Sequence, residues 1–340
     1  MKFSAVEKLI QNIRQDYQIF APVKDDKEFF VSKISDLKQI DYSGRLPLNS
    51  WKHLFLPPGE ELLEFSKKFR RPDSVYPRRC AWNMGFPDLK ALGLLDVVFA
   101  DDPYYQDRRR NILVCGLAVG EPDVENYAEH VKFSRRLAED SLEHVTFDIF
   151  LEKTKKGTFD FFAGSVLGRE VLSRNKIKNF TNVQFAGYIP EQGPDADMLS
   201  KQSLIKKSMK HRLWDELAEI CLACGKCSLV CPTCFCFDTE DQAQEKTVSR
   251  QRVWGSCFYP EFTRLAGGTD YTATVKQKLQ FWYEHKFVRI PAEYAMPGCV
   301  SCGRCAKVCP VGIDIAKNFV RLSEGSRGLP ATITSRAGNS

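Results

Sequence analysis

Val6, Leu9, Ile10 and Ile13 recur at three- and four-residue intervals, and that period predicts a helix at the start of the chain. The period then shortens. β-rich pieces follow at Tyr17–Pro22, Glu28–Val31 and Trp51–Leu56, broken by Pro and Gly. Leu95–Ala100 and Asn111–Val119 are continuous apolar runs, the pattern of strands buried on both faces. Phe147–Leu151 and Thr158–Ala163 read as a strand pair around a turn at Lys155–Gly157. Past residue 200 the spacing is helical again. Ile205, Met209, Leu213 and Leu217 form a stripe within a helix at 203–220, Val275, Leu279 and Trp282 mark another at 272–286, and a third spans 305–322. The Pro, Gly and Asp of Ile189–Asp197 suit a linker. The pattern predicts an α+β protein: a mixed α/β domain at 1–195, serving as docking surface or scaffold, a mostly helical domain at 196–322, and a loose polar tail at 323–340.

The cysteines change this picture. Of thirteen, eleven lie between 221 and 309. Cys221, Cys224, Cys227 and Cys231 are spaced C-x2-C-x2-C-x3-C before Pro232, and Cys299, Cys302, Cys305 and Cys309 repeat the spacing before Pro310. Three thiolates three residues apart can hold three corners of one 4Fe–4S cube, and the fourth, before proline, conventionally reaches the neighbouring cluster. Two 4Fe–4S clusters are therefore expected, the first on Cys221, Cys224, Cys227 and Cys309, the second on Cys299, Cys302, Cys305 and Cys231. Structural zinc is the competing reading, but its four thiolates usually come as two separated pairs. The 67 residues at 232–298 exceed the connection of a compact ferredoxin and suggest a helical dicluster ferredoxin domain.

Around the runs, Gly225 and Gly303 precede the third cysteine by two residues and would let backbone N–H groups turn tightly toward sulfur. Leu222, Ala223, Leu229, Val230, Val300 and Val308 are expected to keep water off the sulfurs. Lys226 and Arg304 either offset cluster charge or extend to solvent. Cys234, Cys236 and Cys257 are either buried thiols or part of a further metal site. In the first half Cys80 and Cys115 stand alone, so no cluster is expected there.

Length and composition suit two globular domains, and the many free thiols point to a reducing compartment, the cytoplasm. No apolar stretch reaches the length of a membrane span. The net charge of +6 is modest. Its densest patch, Lys201, Lys206, Lys207, Lys210 and Arg212, is either the solvated side of the helix or a docking face for an acidic partner; nucleic acid is not an expected partner. Gly116 with Gly120 and Gly164 with Gly168 lack the dinucleotide fingerprint, and the five histidines share no metal-ligand spacing.

The segment 214–316 resembles the iron–sulfur subunit family that includes the anaerobic sulfite reductase A subunit and the beta subunit of sulfhydrogenases. The likeness rests on CLACGKCSLVCPTCFCFDTED, on RQRVWGSC with Arg250, Arg252, Trp254 and Cys257, on LAGG at 265–268, HKF at 285–287 and CVSCGRCAKVCP. A fainter likeness runs through RRCA at Cys80 and DPYYQDRRRNILVCG at 102–116. The chain departs from the family at Cys80-Ala81, at Val119 where the family has a cysteine, in VENYAEHVKFSRR, which lacks the family's Cys-Phe-Cys, and at Gly255, where it has Asp. The resemblance implies a divergent electron-transfer subunit of an anaerobic oxidoreductase complex. It would relay electrons between a flavin- and NAD(P)-binding reductase subunit and a terminal redox subunit, and would make no chemical bond itself. The alternatives are an independent diffusible ferredoxin-type carrier and a nucleic-acid protein stapled by a cluster.

Overall fold

The computed structural model describes residues 1–25, 28–66, 68–71, 76–119, 141–154, 156–191 and 193–324. The tail beyond 324 and the stretch VENYAEHVKFSRR lie outside the described residues, as do Gly120 and Lys155. The fold is α+β, as the sequence pattern predicts: a mixed sheet with helices in the N-terminal half, and a mostly helical part after it.

The strands are β1 (Gln18–Asp25), β2 (Glu28–Lys33), β3 (Gly59–Phe65), β4 (Phe69–Arg70), β5 (Arg79–Met84), β6 (Ile112–Val119), β7 (Ile149–Lys153), β8 (Phe159–Ala163), β9 (Thr181–Asn182), β10 (Phe237–Ala243) and β11 (Val248–Trp254). A seven-stranded sheet has the order β2-β1-β5-β6-β7-β8-β9, with β1, β5, β6 and β7 parallel to one another. Its central strands are buried on both faces because alternate side chains feed two separate cores. Cys80, Trp82, Leu113, Cys115 and Leu117 join one core, which helix α1 (Phe3–Asp16) covers with Val6, Leu9, Ile10 and Ile13. Ala81, Met84, Ile112 and Val114 join the other, beneath the short helix α2 (Lys52–Phe55), helix α3 (Phe86–Val98) and helix α4 (Pro103–Arg110), whose Tyr105 belongs to the same core. The β7–β8 hairpin forms where expected, closed by a Gly157 N–H to Thr154 carbonyl bond.

Two expected strands are helices. Leu95–Ala100 falls at the end of α3, and Trp51–Leu56 contains α2. The reason is burial on several sides. In α3, Leu89, Leu92 and Leu95 pack onto the sheet, while Leu94 meets Ile290 and Met296 of the C-terminal half. A helix enclosed this way has no polar stripe, so its sequence reads like a buried strand. Gly93 permits the enclosure, since a Cβ there would lie 2.6 Å from the Tyr188 ring.

In the second half the expected helices are present but broken. The 203–220 segment is two helices, α5 (Ala196–Ser208) and α6 (Leu213–Ile220), and 305–322 divides into a short turn at Arg304–Lys307 and, after a gap, α9 (Ile315–Glu324). Between them run α7 (Val275–Glu284), a π-helical turn at His285–Arg289, and α8 (Ile290–Tyr294). In the basic patch Lys206 and Lys207 are exposed while Ile205, Leu213 and Leu217 are buried. The β10–β11 hairpin was not expected among these helices; its partner is remote in sequence. β11 pairs with β3, giving a second sheet ordered β10-β11-β3-β4 that joins the two halves.

Buried charge reinforces that junction. Arg252 of β11 pairs with Glu60 of β3 and with Asp102, and Glu60 also pairs with Arg108, with all but Asp102 nearly inaccessible. Two guanidiniums thus face two carboxylates. Burial lowers the Arg108 pKa to about 9, with the Arg252 charge adding to the effect. Replacing Glu60 by Ala would leave Arg108 and Arg252 facing each other. The expected loss is about 3–5 kcal/mol in folding free energy, checked by urea unfolding of the iron-free chain.

Candidate metal centre

Both cysteine runs sit on loops of one backbone shape. Ala223 (φ 48°) and Gly225 (φ 72°) in the first match Ser301 (φ 53°) and Gly303 (φ 71°) in the second. Left-handed residues at the second and fourth positions after the leading cysteine curl each loop so that its N–H groups face sulfur. The Ala223 N–H lies 3.5 Å from Cys221 Sγ, and the Ser301 N–H bonds Cys299 likewise. Non-glycine residues in this conformation cost about 1–2 kcal/mol each. Each loop ends in one helical turn, Lys226–Leu229 or Arg304–Lys307, and the two turns lie against each other.

The thiols meet across the runs. Cys231 is an electrostatic neighbour of Cys299, Cys302 and Cys305, and Cys309 is one of Cys221, which also feels Cys224. Cys227 feels both Cys221 and Cys231. On the inner side, Cys221, Cys227, Cys299 and Cys305 pack against an aromatic core with Trp214, Trp282, Tyr283 and Phe287. Tyr283, held by Asn318, adjoins thiols of both runs. On the outer side Cys224 is exposed, whereas Cys231 is buried. Leu222 is 65% exposed; Ala223, Leu229, Val230, Val300 and Val308 are half-buried.

The two cations differ in fate. Lys226 is exposed, while Arg304 is buried, touches Cys302, and forms a two-pronged pair with Asp88 at 2.7 and 2.8 Å at the start of α3. Two lysines that sequence reasoning missed are buried here as well. Lys286, on the π-helical turn, donates to Cys231 Sγ at 3.2 Å, to Thr233 Oγ1 at 3.0 Å and to the Gly298 carbonyl at 3.0 Å. Gly298 is required, since a Cβ would lie 2.2 Å from the Lys286 carbonyl oxygen. Lys52 of α2 donates to the Leu229 and Cys234 carbonyls and sits 4.1 Å from the Trp254 ring centre. The only signal for Lys286 was a lysine within the aromatic HKF segment; Lys52 gave none.

Of the remaining thiols, Cys234 lies against Cys231 and Cys257 against Cys236. Cys236 is brought down to about 7 by its bond from Cys257, against burial and with help from Lys286 and Lys52. Among the described residues, no three His, Cys, Asp or Glu side chains gather as they would around a single ion. Cys80 and Cys115, 3.8 Å apart, are sealed within the large sheet, remote in sequence from both runs.

This donor set fits an iron–sulfur group. Lys286 carries the point: among the described residues no carboxylate bonds it, its one hydrogen-bond partner able to carry negative charge is Cys231 as a thiolate, and its other charge neighbours, Cys234 and Cys299, are thiols as well. A buried ammonium without a counter-charge is costly, and an anionic thiolate centre supplies one.

The comparisons agree. Residues 220–313 match the family described as a 4Fe-4S dicluster domain. The chain is thus an iron–sulfur protein of electron transfer. Across nearly its full length it is similar to the sulfhydrogenase 2 subunit beta of Pyrococcus furiosus, 25% identical over 321 residues that cover 91% of this chain and 93% of that protein. The resemblance seen in the motifs therefore extends through the N-terminal half. No solved structure matches the chain. Among the described residues no helix is long and apolar enough to cross a membrane.

Burial and neighbouring thiols push Cys227 up to about 12 and Cys302 up to about 11, against about 8.5 for a free thiol. Between those values the unfolded chain holds fewer protons than the folded one, so stability falls as pH rises. The iron-free chain is expected to be stable below about pH 8.5 and to weaken steadily toward pH 11. A urea midpoint that does not fall between about pH 8.5 and 9.5, above the range where the lowered Cys236 acts the other way, would contradict this.

Proposed function

We propose that the chain is the electron-transfer subunit of an oxidoreductase complex. It relays electrons through two 4Fe–4S clusters between a flavin- and nicotinamide-binding subunit and a terminal redox subunit. The observation that supports the reading most is the electrostatic contact between the runs: Cys231 acts on Cys299, Cys302 and Cys305 as well as on Cys227 of its own run, and Cys309 acts on Cys221. On that ground Cys221, Cys224, Cys227 and Cys309 would hold one cluster, and Cys299, Cys302, Cys305 and Cys231 the other. Such clusters accept and release one electron at a time. The chain's own residues do the rest: the loops fix the thiolates, backbone N–H groups bond sulfur, and Trp214, Trp282 and Tyr283 exclude water from the inner side. Residues 1–195 serve as scaffold and shield, supplying Lys52 and, through Asp88, fixing Arg304. The similarity to a sulfhydrogenase beta subunit supports a role within a complex. A diffusible carrier would instead run alone at its own mass of 38.8 kDa in its host's extract.

The isolated chain is expected to accept electrons from dithionite and to refuse them from NADH and NADPH until a flavoprotein partner is added. In the complex, Cys302→Ala should abolish transfer to the terminal subunit while dye reduction by the flavoprotein persists; full turnover of that variant ends the relay reading. Cys80→Ser and Cys115→Ser should leave the iron content unchanged, as measured by metal analysis.

A further inference from the structure

The two runs repeat each other in spacing and backbone shape, yet their fourth thiols meet unlike donors. Cys309 Sγ accepts a neutral backbone N–H from Ile313 at 3.3 Å. Cys231 Sγ receives the Lys286 ammonium at 3.2 Å, 2% exposed as a residue and fixed by two further acceptors. The other charges near the thiols do not balance this difference. Arg304 reaches Cys302, but the Asp88 carboxylate matches its charge. Lys226, at the equivalent place in the first run, is exposed, where water screens it. Lys52 lies on the Cys231 side as well and bonds only carbonyl oxygens. Among the described residues, a buried ammonium with no carboxylate partner therefore donates to a thiol of one set, and none donates to a thiol of the other.

We propose that Lys286 makes the thiol set of Cys231, Cys299, Cys302 and Cys305 the higher-potential end of the relay, where the first electron comes to rest. This builds on the reading that Cys231 ligates iron together with the second run. An electron delivered there adds one negative charge and forms or breaks no bond. The fixed ammonium favours that added charge, and hydrogen bonding to sulfur acts in the same direction. Burial keeps the interaction from being screened. Lys286 is thus a tuning residue that acts through Cys231. The π-helical turn serves to aim it: an extra residue in the helix re-directs side chains locally, and such turns frequently mark functional sites.

The test is a redox titration of the iron-loaded chain under argon, with dithionite as reductant and electron paramagnetic resonance as readout. Wild type is compared with Lys286→Met, Lys286→Gln and Lys286→Arg. In the Met and Gln variants, the signal that appears first in wild type should become at least about tenfold harder to reduce, about 59 mV for a one-electron couple. The second signal should stay in place, and Lys286→Arg should restore most of the shift. Unchanged potentials, or a shift confined to the later signal, overturn the proposal. So does loss of iron from both neutral variants with retention in Lys286→Arg, because Lys286 would then be a support for assembly. A wild-type chain with only one cluster would instead overturn the reading of the two thiol sets on which this rests.

Discussion

Cationic side chains buried between the two halves are the constraint on which the rest of the structure depends. Removing a charge from water costs several kcal/mol unless a partner meets it in good geometry. Arg304 of the second cysteine loop finds Asp88 of α3 and the Pro47 carbonyl, both in the N-terminal half. Arg252 of β11 finds Glu60 and Asp102, also in that half. Lys52 runs the other way, from α2 to carbonyls of the first loop. Because each of these contacts crosses the junction, none is satisfied by either half alone. The halves are registered by charge as much as by their shared sheet.

The thiol-rich centre gains rigidity from the same arrangement. Ala223 and Ser301 hold left-handed backbone that an isolated loop would relax. Something must over-determine them. The aromatic core backs both loops, and around the first Ser228 and Ser256 add to it, their hydroxyls 2.7 Å apart. Around the second the addition is Arg304, anchored at the N-terminal end of α3. Two loops of one shape are therefore supported in part by different neighbours, and that allows the same motif to carry different electrostatics at its two ends.

The sequence was most informative where chemistry is local. Cysteine spacing, the two glycines and the stripe of α1 follow from residues close together in the chain, and all three could be read directly. It was least informative where a segment is enclosed by elements distant in sequence. α3 lies between the sheet and residues 290–296, so the polar face that marks a helix is missing. The β10–β11 hairpin has the exposed, acidic stretch Phe237–Ala243 and draws its sheet partner from residues 59–65, nearly two hundred positions earlier. Lys52 and Lys286 were hidden for the converse reason. A lysine is ordinarily a surface residue, and only the tertiary structure reveals one aimed inward.

Exposure completes the asymmetry between the two loops. Cys224 is exposed, with Ile220 and Leu222 accessible beside it. Cys231 is buried, and Lys286, Thr233 and Gly298 close over its sulfur. Electron transfer between proteins needs a short distance at the contact surface, while a charge held in a dry site needs a fixed opposite charge beside it. Here the two requirements fall on different ends of one duplicated motif. Among the described residues no buried ammonium donates to a thiol at the accessible end, whereas Lys286 donates to Cys231 at the enclosed end and Lys52 lies beside it. Cys224 lies at the surface in the mostly helical half, whereas Arg304 and Lys52 tie the N-terminal half to the enclosed end. The N-terminal half therefore adds enclosure and one buried cation, Lys52, on the side of one thiol set, while Cys224 of the other stays exposed.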